Sequence, residues 1–405
     1  MKPRLQLQVN ALTTASLTAY GINTHLTEQS SDYTKTRARV LLGNCEGKMM
    51  FLKKKRYIAI LIITIVTALS LVLLKPLWLT QLTELEAERI RLITPTQVAP
   101  ASLDRINREQ LMADLRWLAD AERQGRAPGT PGGIAAREWI AEQFAEIGLE
   151  PAGTEGFFHP YSVKEHFSFS RWLRGRNATI PGVENAANVL GLLPGTVPGL
   201  KPLVLTAHYD HLGMHGDTIF YGADDNASGV AAMLELARYL KANPLQHPVL
   251  FVALDSEEKG LQGAVALFRT ELLHAEQLAF NINIDMLSRD TQQLLFAVGT
   301  YHHPWLLPLL DELQPQSAVK LLPAHDRPWY LAGNTQDWTL SSDHGVFHQA
   351  GVPFIYFGVA DHADYHTPED TAEKVDVMFY HQVVETVLSF LTLLDQHLAQ
   401  RETRP

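Results

Sequence analysis

The chain has 405 residues, a formal net charge of −10 and a single cysteine, Cys45. Residues 1–56 carry ten lysines and arginines against three acidic residues, a local charge of +7 that leaves −17 for the rest. An acidic body argues against nucleic acid as the main partner, because phosphate binding needs a basic surface. The body also has no cysteine, so disulfides and cysteine-based metal sites are excluded there.

An apolar segment at residues 57–74, YIAILIITIVTALSLVLL, predicts a membrane-spanning helix. Its 18 residues extend roughly 27 Å as a helix, close to the thickness of the hydrocarbon core of a bilayer. Four cations at residues 53–56 precede it, so the positive-inside rule places the N-terminus in the cytoplasm and the remainder in the periplasm or outside the cell. No small-residue cleavage site follows closely, and we therefore expect an uncleaved signal anchor.

Residues 1–56, before the anchor, are expected to form a cytoplasmic tail. Residues 1–48 are polar and unpatterned, and the sequence from Met49 resembles a normal export start. A disordered tail and a wrongly chosen start codon both fit this pattern, and the sequence leaves the two open.

A linker is expected over residues 75–102, and two amphipathic helices follow it. The first begins near Asp104 and the second covers about residues 134–147, with a Gly/Pro-rich turn between them. Residues 157–172 are rich in aromatic side chains and predict a loop. These elements open the domain that we predict for residues 103–398.

Strands and helices alternate after Pro202. The predicted strands lie at residues 203–209, 249–255, 280–287, 294–300 and 353–359, after a first strand at 188–193. The predicted helices lie at residues 228–240, 261–272, 304–313 and 372–398. This alternation predicts an α/β fold with a central, mostly parallel mixed sheet that has helices on both faces. In such sheets the functional site lies beyond the carboxyl ends of the strands.

Residues of the kind that bind metals follow several of these strands. His208 and Asp210 are two apart at the end of a strand, so they point the same way and can share one site. The adjacent Glu257 and Glu258 point differently, so one can bind a metal while the other stays free as a base. Further candidates are the carboxylates of residues 222–229, which open a helix, Asp285 at the end of the next strand, and the loop of residues 364–371.

This set of imidazoles and carboxylates fits two Zn²⁺ ions that share a bridging Asp, with other divalent metals left open. Such a site polarises a carbonyl and generates hydroxide near neutral pH. The sequence contains neither Gly-x-Ser-x-Gly nor His-Glu-x-x-His. The usual serine nucleophile elbow and the commonest metalloprotease helix are therefore excluded.

Five motifs occur in order along the chain: His-x-Asp, Gly-Ala-x-Asp-Asn-x-Ser-Gly, Glu-Glu-x-Gly-Leu-x-Gly, Asn-x-Asp-Met and Tyr-His-Thr-Pro-x-Asp-Thr. Together they resemble the co-catalytic zinc aminopeptidase family, which includes bacterial leucyl aminopeptidases, glutamate carboxypeptidase II and glutaminyl cyclase. The resemblance covers about residues 104–395. It implies a metallo-aminopeptidase that hydrolyses the N-terminal bond of peptides or dipeptides with a free N-terminus.

The resemblance also implies the metal ligands. His208 and Asp285 would hold one zinc ion, Glu258 and His366 would hold the other, and Asp225 would bridge both. In relatives the peptide bond after the bridging Asp is often cis.

The catalytic roles follow from the same resemblance. Glu257 would be the general base that takes a proton from a metal-bridging water and passes it to the leaving amine. Asp210 would orient His208, and Tyr365 would donate a hydrogen bond to the developing oxyanion.

Three alternatives stay open. Glutaminyl cyclases of this kind use one zinc and typically lack an intact first His-x-Asp, whereas His208 and Asp210 are both present here. A carboxypeptidase needs a cationic pocket for the substrate's C-terminus, and the sequence identifies none. A non-catalytic binding domain would have lost the ligands and the base. Three further histidines are expected to support the site or lie in loops rather than bind metal: His211, His344 and His362.

Overall fold

The computed structural model describes residues 50, 53–67, 69–70, 74–75, 77–85, 88, 103–167, 179–180, 182–332 and 336–402. The chain forms two separate units, residues 1–77 and 78–405.

In the first unit, residues 53–67 are helical, and large apolar side chains such as Ile60 and Ile63 are exposed. The predicted anchor at residues 57–74 extends beyond this helix into residues that lie outside the described ones, so it stays a prediction. The predicted tail falls largely outside the described residues as well.

The second unit contains the α/β domain. Its helices are α1 (Arg108–Leu118), α2 (Pro131–Ile147), α3 (Gly229–Ala242), α4 (Gln262–Arg269), α5 (Leu307–Leu313), α6 (Trp329–Ala332), α7 (His344–Ala350) and α8 (Val377–Glu402). Its strands are β1 (Glu150–Pro151), β2 (Phe158–Val163), β3 (His166–Phe167), β4 (Thr179–Ile180), β5 (Val183–Leu193), β6 (Leu203–His208), β7 (Gly213–His215), β8 (Thr218–Phe220), β9 (Val249–Leu254), β10 (Phe280–Ile284), β11 (Leu294–Val298), β12 (Lys320–Pro323) and β13 (Phe354–Gly358).

Local sequence signals explain where α2 begins and ends. The Thr130 side chain accepts a hydrogen bond from the Gly133 backbone N–H at its start, and Pro131 occupies the first turn. Gly148 ends the helix in the left-handed conformation, with φ at 84°, which a residue without a Cβ adopts readily.

The main sheet has the strand order β1-β5-β9-β6-β10-β13-β11-β12, with β2 also paired to β5. Four central strands (β9, β6, β10 and β13) run parallel to one another, whereas β5 is antiparallel to β9 and β11 is antiparallel to β13. Because the four parallel strands end at one edge, the loops that follow them meet there. His208 at the end of β6 lies opposite Leu254 at the end of β9, and Asp285 directly follows β10.

Apolar side chains cover both faces of the sheet. Leu203 and Leu205 of β6 join one core cluster together with residues of α1, α2, α3, α5 and α8, whereas Val204 joins a second cluster with residues of α4 and α7. This alternation is the period of two expected of a strand buried on both sides. The predicted α/β fold with helices on both faces of a mixed sheet is therefore confirmed.

One prediction about local structure is wrong. Residues 158–163, predicted as part of a loop, form β2, whose burial alternates along the strand. His159, Pro160 and Ser162 weaken the apolar pattern, and Pro160 is tolerated because β2 pairs on one side only, with β5. The strand at residues 294–298 is antiparallel to β13, which is one of the antiparallel pairings of the predicted mixed sheet.

Among the described residues, α8 contains the stretch that is long and apolar enough to cross a membrane, Val377–Arg401. About two thirds of its most apolar window, 67%, is buried inside the domain. Burial of this extent is typical of a core helix, so α8 gives little support for a membrane span.

Candidate metal centre

The candidate centre lies at the edge where β6, β9, β10 and β13 end. The turn Ala223–Ser228, which leads into α3, adds Asp225 to this edge. The peptide bond between Asp225 and Asn226 is cis, as the resemblance implies. Five separate chain segments therefore bring polar side chains to one place.

One group of donors surrounds His208. Its Nε2 lies 3.3 Å from Asp225 Oδ1 and 3.3 Å from Asp285 Oδ1. Its Nδ1–H donates to the backbone carbonyl of Asp210 at 3.1 Å. That hydrogen bond leaves the Nε2 lone pair directed at the carboxylates, which is the tautomer that a metal ligand requires.

A second group of donors surrounds Glu258 and the other oxygen of Asp225. His366 Nε2 lies 3.0 Å from Asp225 Oδ2 and 3.1 Å from Glu258 Oε1. His211 Nδ1 approaches the same two oxygens, at 3.6 Å and 3.1 Å respectively. Asp225 therefore belongs to both groups, with one carboxylate oxygen directed to each.

The donors fit metal ions. His208, Asp225 and Asp285, and likewise His211, Asp225 and Glu258, each offer one donor atom, and the three atoms of each group lie within 4.8 Å of one another. Imidazole nitrogen and carboxylate oxygen are the donors that zinc binds in catalytic sites. Glu258 Oε1 is buried and has no hydrogen-bond partner among the described residues, which is costly unless a cation lies close to it.

Electrostatics favour positive charge at this edge. Burial alone would lower the pKa of His366, but the neighbouring carboxylates of Asp225 and Glu258 raise it to about 10. Burial likewise opposes the ionised form of Asp225, yet the neighbouring imidazoles of His208 and His366 bring its pKa well below the usual range. The field that stabilises protonated imidazole also favours a divalent cation.

Asp210 contacts the centre through both its side chain and its main chain. Its carboxylate lies 3.6 Å from His208 Nδ1, whereas its backbone carbonyl lies 3.1 Å from the same nitrogen. Its two carboxylate oxygens also accept the backbone N–H groups of Glu257 at 3.0 Å and Glu258 at 3.3 Å. The Asp210 side chain therefore holds the Glu257–Glu258 turn, while its main chain orients His208.

The predicted base and the predicted oxyanion donor both lie beside the donor groups. Burial raises the pKa of Glu257, with Glu258 and Asp343 adding to the rise and His208 opposing it. The Tyr365 ring stacks on the imidazole of His366, with centroids 3.9 Å apart. Burial also raises the pKa of Tyr365, so its hydroxyl stays protonated and able to donate.

Asp370 supports the segment that carries Asp225. Its carboxylate accepts the backbone N–H groups of Asp224 and Asp225 at 3.0–3.1 Å. The Asp224 side chain accepts from the Ser288 backbone N–H and lies 3.1 Å from His362 Nε2. The geometry thus turns Asp224 and His362 toward each other and away from the two donor groups.

Arg126 is a residue of the site that sequence reasoning missed. Its fully buried guanidinium donates at 2.7–2.8 Å to the carbonyls of Leu118, Tyr209, Tyr221 and Gly222. Burial lowers its pKa to about 10, against the opposing charges of Asp225, Asp370 and other acids nearby, so it stays cationic at neutral pH. The sequence signal that could have identified Arg126 is its position within the Gly-Arg-Ala-Pro turn.

Asp343 is a second missed residue. Both of its carboxylate oxygens are buried and have no hydrogen-bond partner among the described residues. Burial raises its pKa to about 8, with His208 opposing and Asp210 and Asp285 adding to the effect. The neighbouring His344 is fully buried, and its Nε2 lies 2.8 Å from the Trp338 carbonyl, outside the donor groups.

Comparison with known proteins locates this centre in a family. The sequence model of the family described as peptidase family M28 matches residues 188–391. This range is just over half of the chain and contains all five predicted ligands. The aminopeptidase YwaD of Bacillus subtilis is 30% identical over 205 residues, which are 47% of this chain and 41% of that protein. The match thus spans about two fifths of the length of YwaD.

Solved structures share the fold. BSAP, a zinc aminopeptidase from Bacillus subtilis, aligns with a TM-score of 0.54 at 17% identity, covering 71% of this chain and 94% of that one. Glutaminyl cyclase of Porphyromonas gingivalis aligns with a TM-score of 0.55 at 18% identity, covering 71% of this chain and 98% of that one. Identities this low establish the fold alone.

Proposed function

The chain belongs to peptidase family M28, and on this premise we propose that it is a zinc-dependent aminopeptidase. The substrate is a peptide or dipeptide with a free N-terminus, and the reaction is hydrolysis of its first peptide bond. The observation that carries the proposal is the pair of donor groups that share Asp225. Glu257 precedes the donor Glu258 in the chain, and its backbone N–H donates to Asp210. In this assignment His208 and Asp285 would hold one zinc ion, Glu258 and His366 would hold the other, and Asp225 would be shared by both.

Different residues of the centre carry out different steps of the hydrolysis. Zinc, when bound, polarises the peptide carbonyl and makes water a better nucleophile. Glu257 accepts a proton from the attacking water as the new C–O bond forms, and returns it to the amine nitrogen as the C–N bond breaks. The Tyr365 hydroxyl donates to the carbonyl oxygen as negative charge develops on it. The carboxylates of the centre attract the free amine of the substrate.

A glutaminyl cyclase is the main competing function, because a cyclase shares the fold. The intact group of His208, Asp225 and Asp285 favours hydrolysis, since it provides for a second metal ion. A cyclase also releases ammonia from an N-terminal glutamine rather than an amino acid. The products therefore separate the two functions.

We further propose that residues 57–74 anchor the enzyme in a membrane, with the catalytic domain periplasmic or extracellular. The support is an apolar segment after four cations and the exposed helix at residues 53–67. Protease added to intact cells or right-side-out vesicles should then digest the catalytic domain. Protection of that domain until the membrane is disrupted would contradict this orientation.

The aminopeptidase is tested on the purified full chain in detergent. We expect about two zinc ions per chain, and release of p-nitroaniline from leucine p-nitroanilide that a chelator abolishes and added zinc restores. Glu257→Gln is the matched variant, because it keeps the shape of the side chain and removes its basicity. It should keep the zinc and lose the activity.

Each other outcome has a distinct meaning. Bound zinc without release of p-nitroaniline, but with cyclisation of an N-terminal glutamine, would replace the aminopeptidase with a cyclase. Absence of metal binding would reject an enzymatic function for this centre and favour a binding domain.

A further inference from the structure

His211 is a buried histidine whose environment the five predicted ligands do not explain. Its side chain has no solvent-exposed surface. Neither ring nitrogen makes a hydrogen bond within the described part of the chain, although both are buried. A buried imidazole without partners is unfavourable, so its position calls for a ligand that the protein chain itself does not supply.

The ring is directed at the second donor group. Its Nδ1 lies 3.1 Å from Glu258 Oε1 and 3.6 Å from Asp225 Oδ2. Glu258 Oε1 also has no hydrogen-bond partner among the described residues, so the short approach between the two atoms is not a well-aligned hydrogen bond. Two atoms that face each other in this way without bonding can instead both face a third atom between them.

His366 approaches the same oxygens from another side. Its Nε2 lies 3.0 Å from Asp225 Oδ2 and 3.1 Å from Glu258 Oε1. The two imidazole rings are inclined by 63°, with centroids 5.7 Å apart, so they converge on one position rather than stack. Two nitrogens and two oxygens therefore surround one point. A closed tetrahedral zinc site likewise uses four donors.

The fold fixes His211 in this orientation. A Cβ on Gly222 would come within 2.5 Å of the His211 ring, so only a glycine leaves room for the imidazole there. Gly222 also has a φ of 59°, a conformation that favours glycine. The carbonyl of Gly222 accepts a hydrogen bond from Arg126 at 2.8 Å, which holds this backbone against the ring.

We propose that His211 is a metal ligand, bound through Nδ1 to the ion held by Asp225, Glu258 and His366. This inference rests on the two-metal centre of the proposed function and makes its two positions unequal. The position with His211 has four protein donors, whereas the position at His208 has three. The four-donor position retains its ion more tightly, and the three-donor position keeps a site open for water or substrate.

The full-length protein loaded with Co²⁺ in detergent tests this assignment directly. An imidazole bound to Co²⁺ shows a strongly shifted proton resonance from its other ring N–H, which disappears in D₂O. We expect three such resonances, from His208, His211 and His366, and two in His211→Ala. Two resonances in the wild-type protein would overturn the inference without any variant being needed.

Metal retention gives a second readout that does not depend on activity. Zinc should leave the wild-type protein in two steps as chelator is increased, and His211→Ala should lose its tighter ion at a free-zinc concentration at least about tenfold higher, an effect that even supporting residues reach. His211→Asn places an amide oxygen near the position of Nδ1 and should recover part of this loss. His159→Gln is the control, since His159 is buried against Thr270 and Asn188, away from the centre.

The outcomes separate this inference from the function on which it rests. Two bound ions in the wild-type protein with unchanged retention in His211→Ala would overturn the role of His211 and leave the aminopeptidase standing. A wild-type protein that binds no Co²⁺ or zinc would overturn both.

Discussion

Asp210→Asn tests how the predicted catalytic Glu257 and the predicted ligand Glu258 are held in place. The Asp210 carboxylate accepts one backbone N–H from each of them. The Asn side chain has nearly the same shape but only one oxygen, so its NH₂ group faces one of the two N–H groups. One hydrogen bond to a charged acceptor is lost, and such a bond contributes about 1.5–3 kcal/mol.

The effect on catalysis should exceed the effect on stability. A shift of about 1 Å in a catalytic group costs on the order of 100-fold in rate, equivalent to about 2.7 kcal/mol in the activation barrier. We therefore expect kcat to fall about 100-fold at saturating zinc, with the free energy of unfolding lowered by about 2 kcal/mol. The assays are leucine p-nitroanilide hydrolysis, zinc content and urea unfolding.

Asp395→Asn is the matched control. Asp395 is also buried, and its two carboxylate oxygens accept the backbone N–H groups of Gln246 and His247 at 3.0 Å and 2.9 Å, just before β9 begins and so at the opposite end of that strand from the donor groups. It should lose a similar amount of stability without a comparable fall in kcat. If Asp210→Asn kept the wild-type kcat while losing stability as Asp395→Asn does, the proposed role of Asp210 would be wrong.

Three further predictions concern the base, the buried cation and acid stability. Glu257→Gln should lower kcat about 10²- to 10⁴-fold with zinc content unchanged; wild-type activity would remove Glu257 as the base. Arg126→Met leaves four carbonyls without their donor and should lower the free energy of unfolding, measured in urea, by on the order of 4 kcal/mol. A loss below about 1 kcal/mol would show that these four hydrogen bonds do not stabilise the fold as proposed. Burial opposes ionisation of Asp395, but hydrogen bonds from His247 prevail and lower its pKa, so its stabilising contribution is present above the unfolded-state pKa of about 3.9 and is lost as pH falls below it. The difference in Tm between wild type and Asp395→Asn should shrink accordingly in acid, and a difference independent of pH would refute the assignment.

The sequence predicts elements well where pattern and length agree. The apolar runs that became β6, β9 and β10 were placed within a few residues, because strands buried on both faces admit almost no polar side chain. β2 was missed because Pro160 and its polar neighbours interrupt the pattern. β11 was placed correctly along the chain, yet its direction in the sheet depends on pairing with β13, which no local pattern contains.

In the candidate centre, too, some features follow from local sequence and others depend on tertiary contacts. Short motifs identify Glu257, Glu258 and Asp285 as candidates because carboxylates directly after strands meet at one edge of a parallel sheet. Their assignment as ligands and base stays a prediction until metal content and the variants are measured. The motifs do not reveal that the Asp210 side chain also accepts hydrogen bonds from the backbone of the Glu pair, since this contact joins two segments that are distant in sequence.

The sequence by itself therefore determined the α/β fold, the strand ends that carry polar side chains and the family. It could do so because buried strands, glycine turns and ordered motifs are local properties of the chain. Only the tertiary structure decided that His211 faces Asp225 and Glu258, that Arg126 holds four carbonyls around the centre, and that Asp343 is buried beside it. These contacts join residues far apart in sequence, and they depend on how the sheet brings separate strand ends together, which no short pattern encodes.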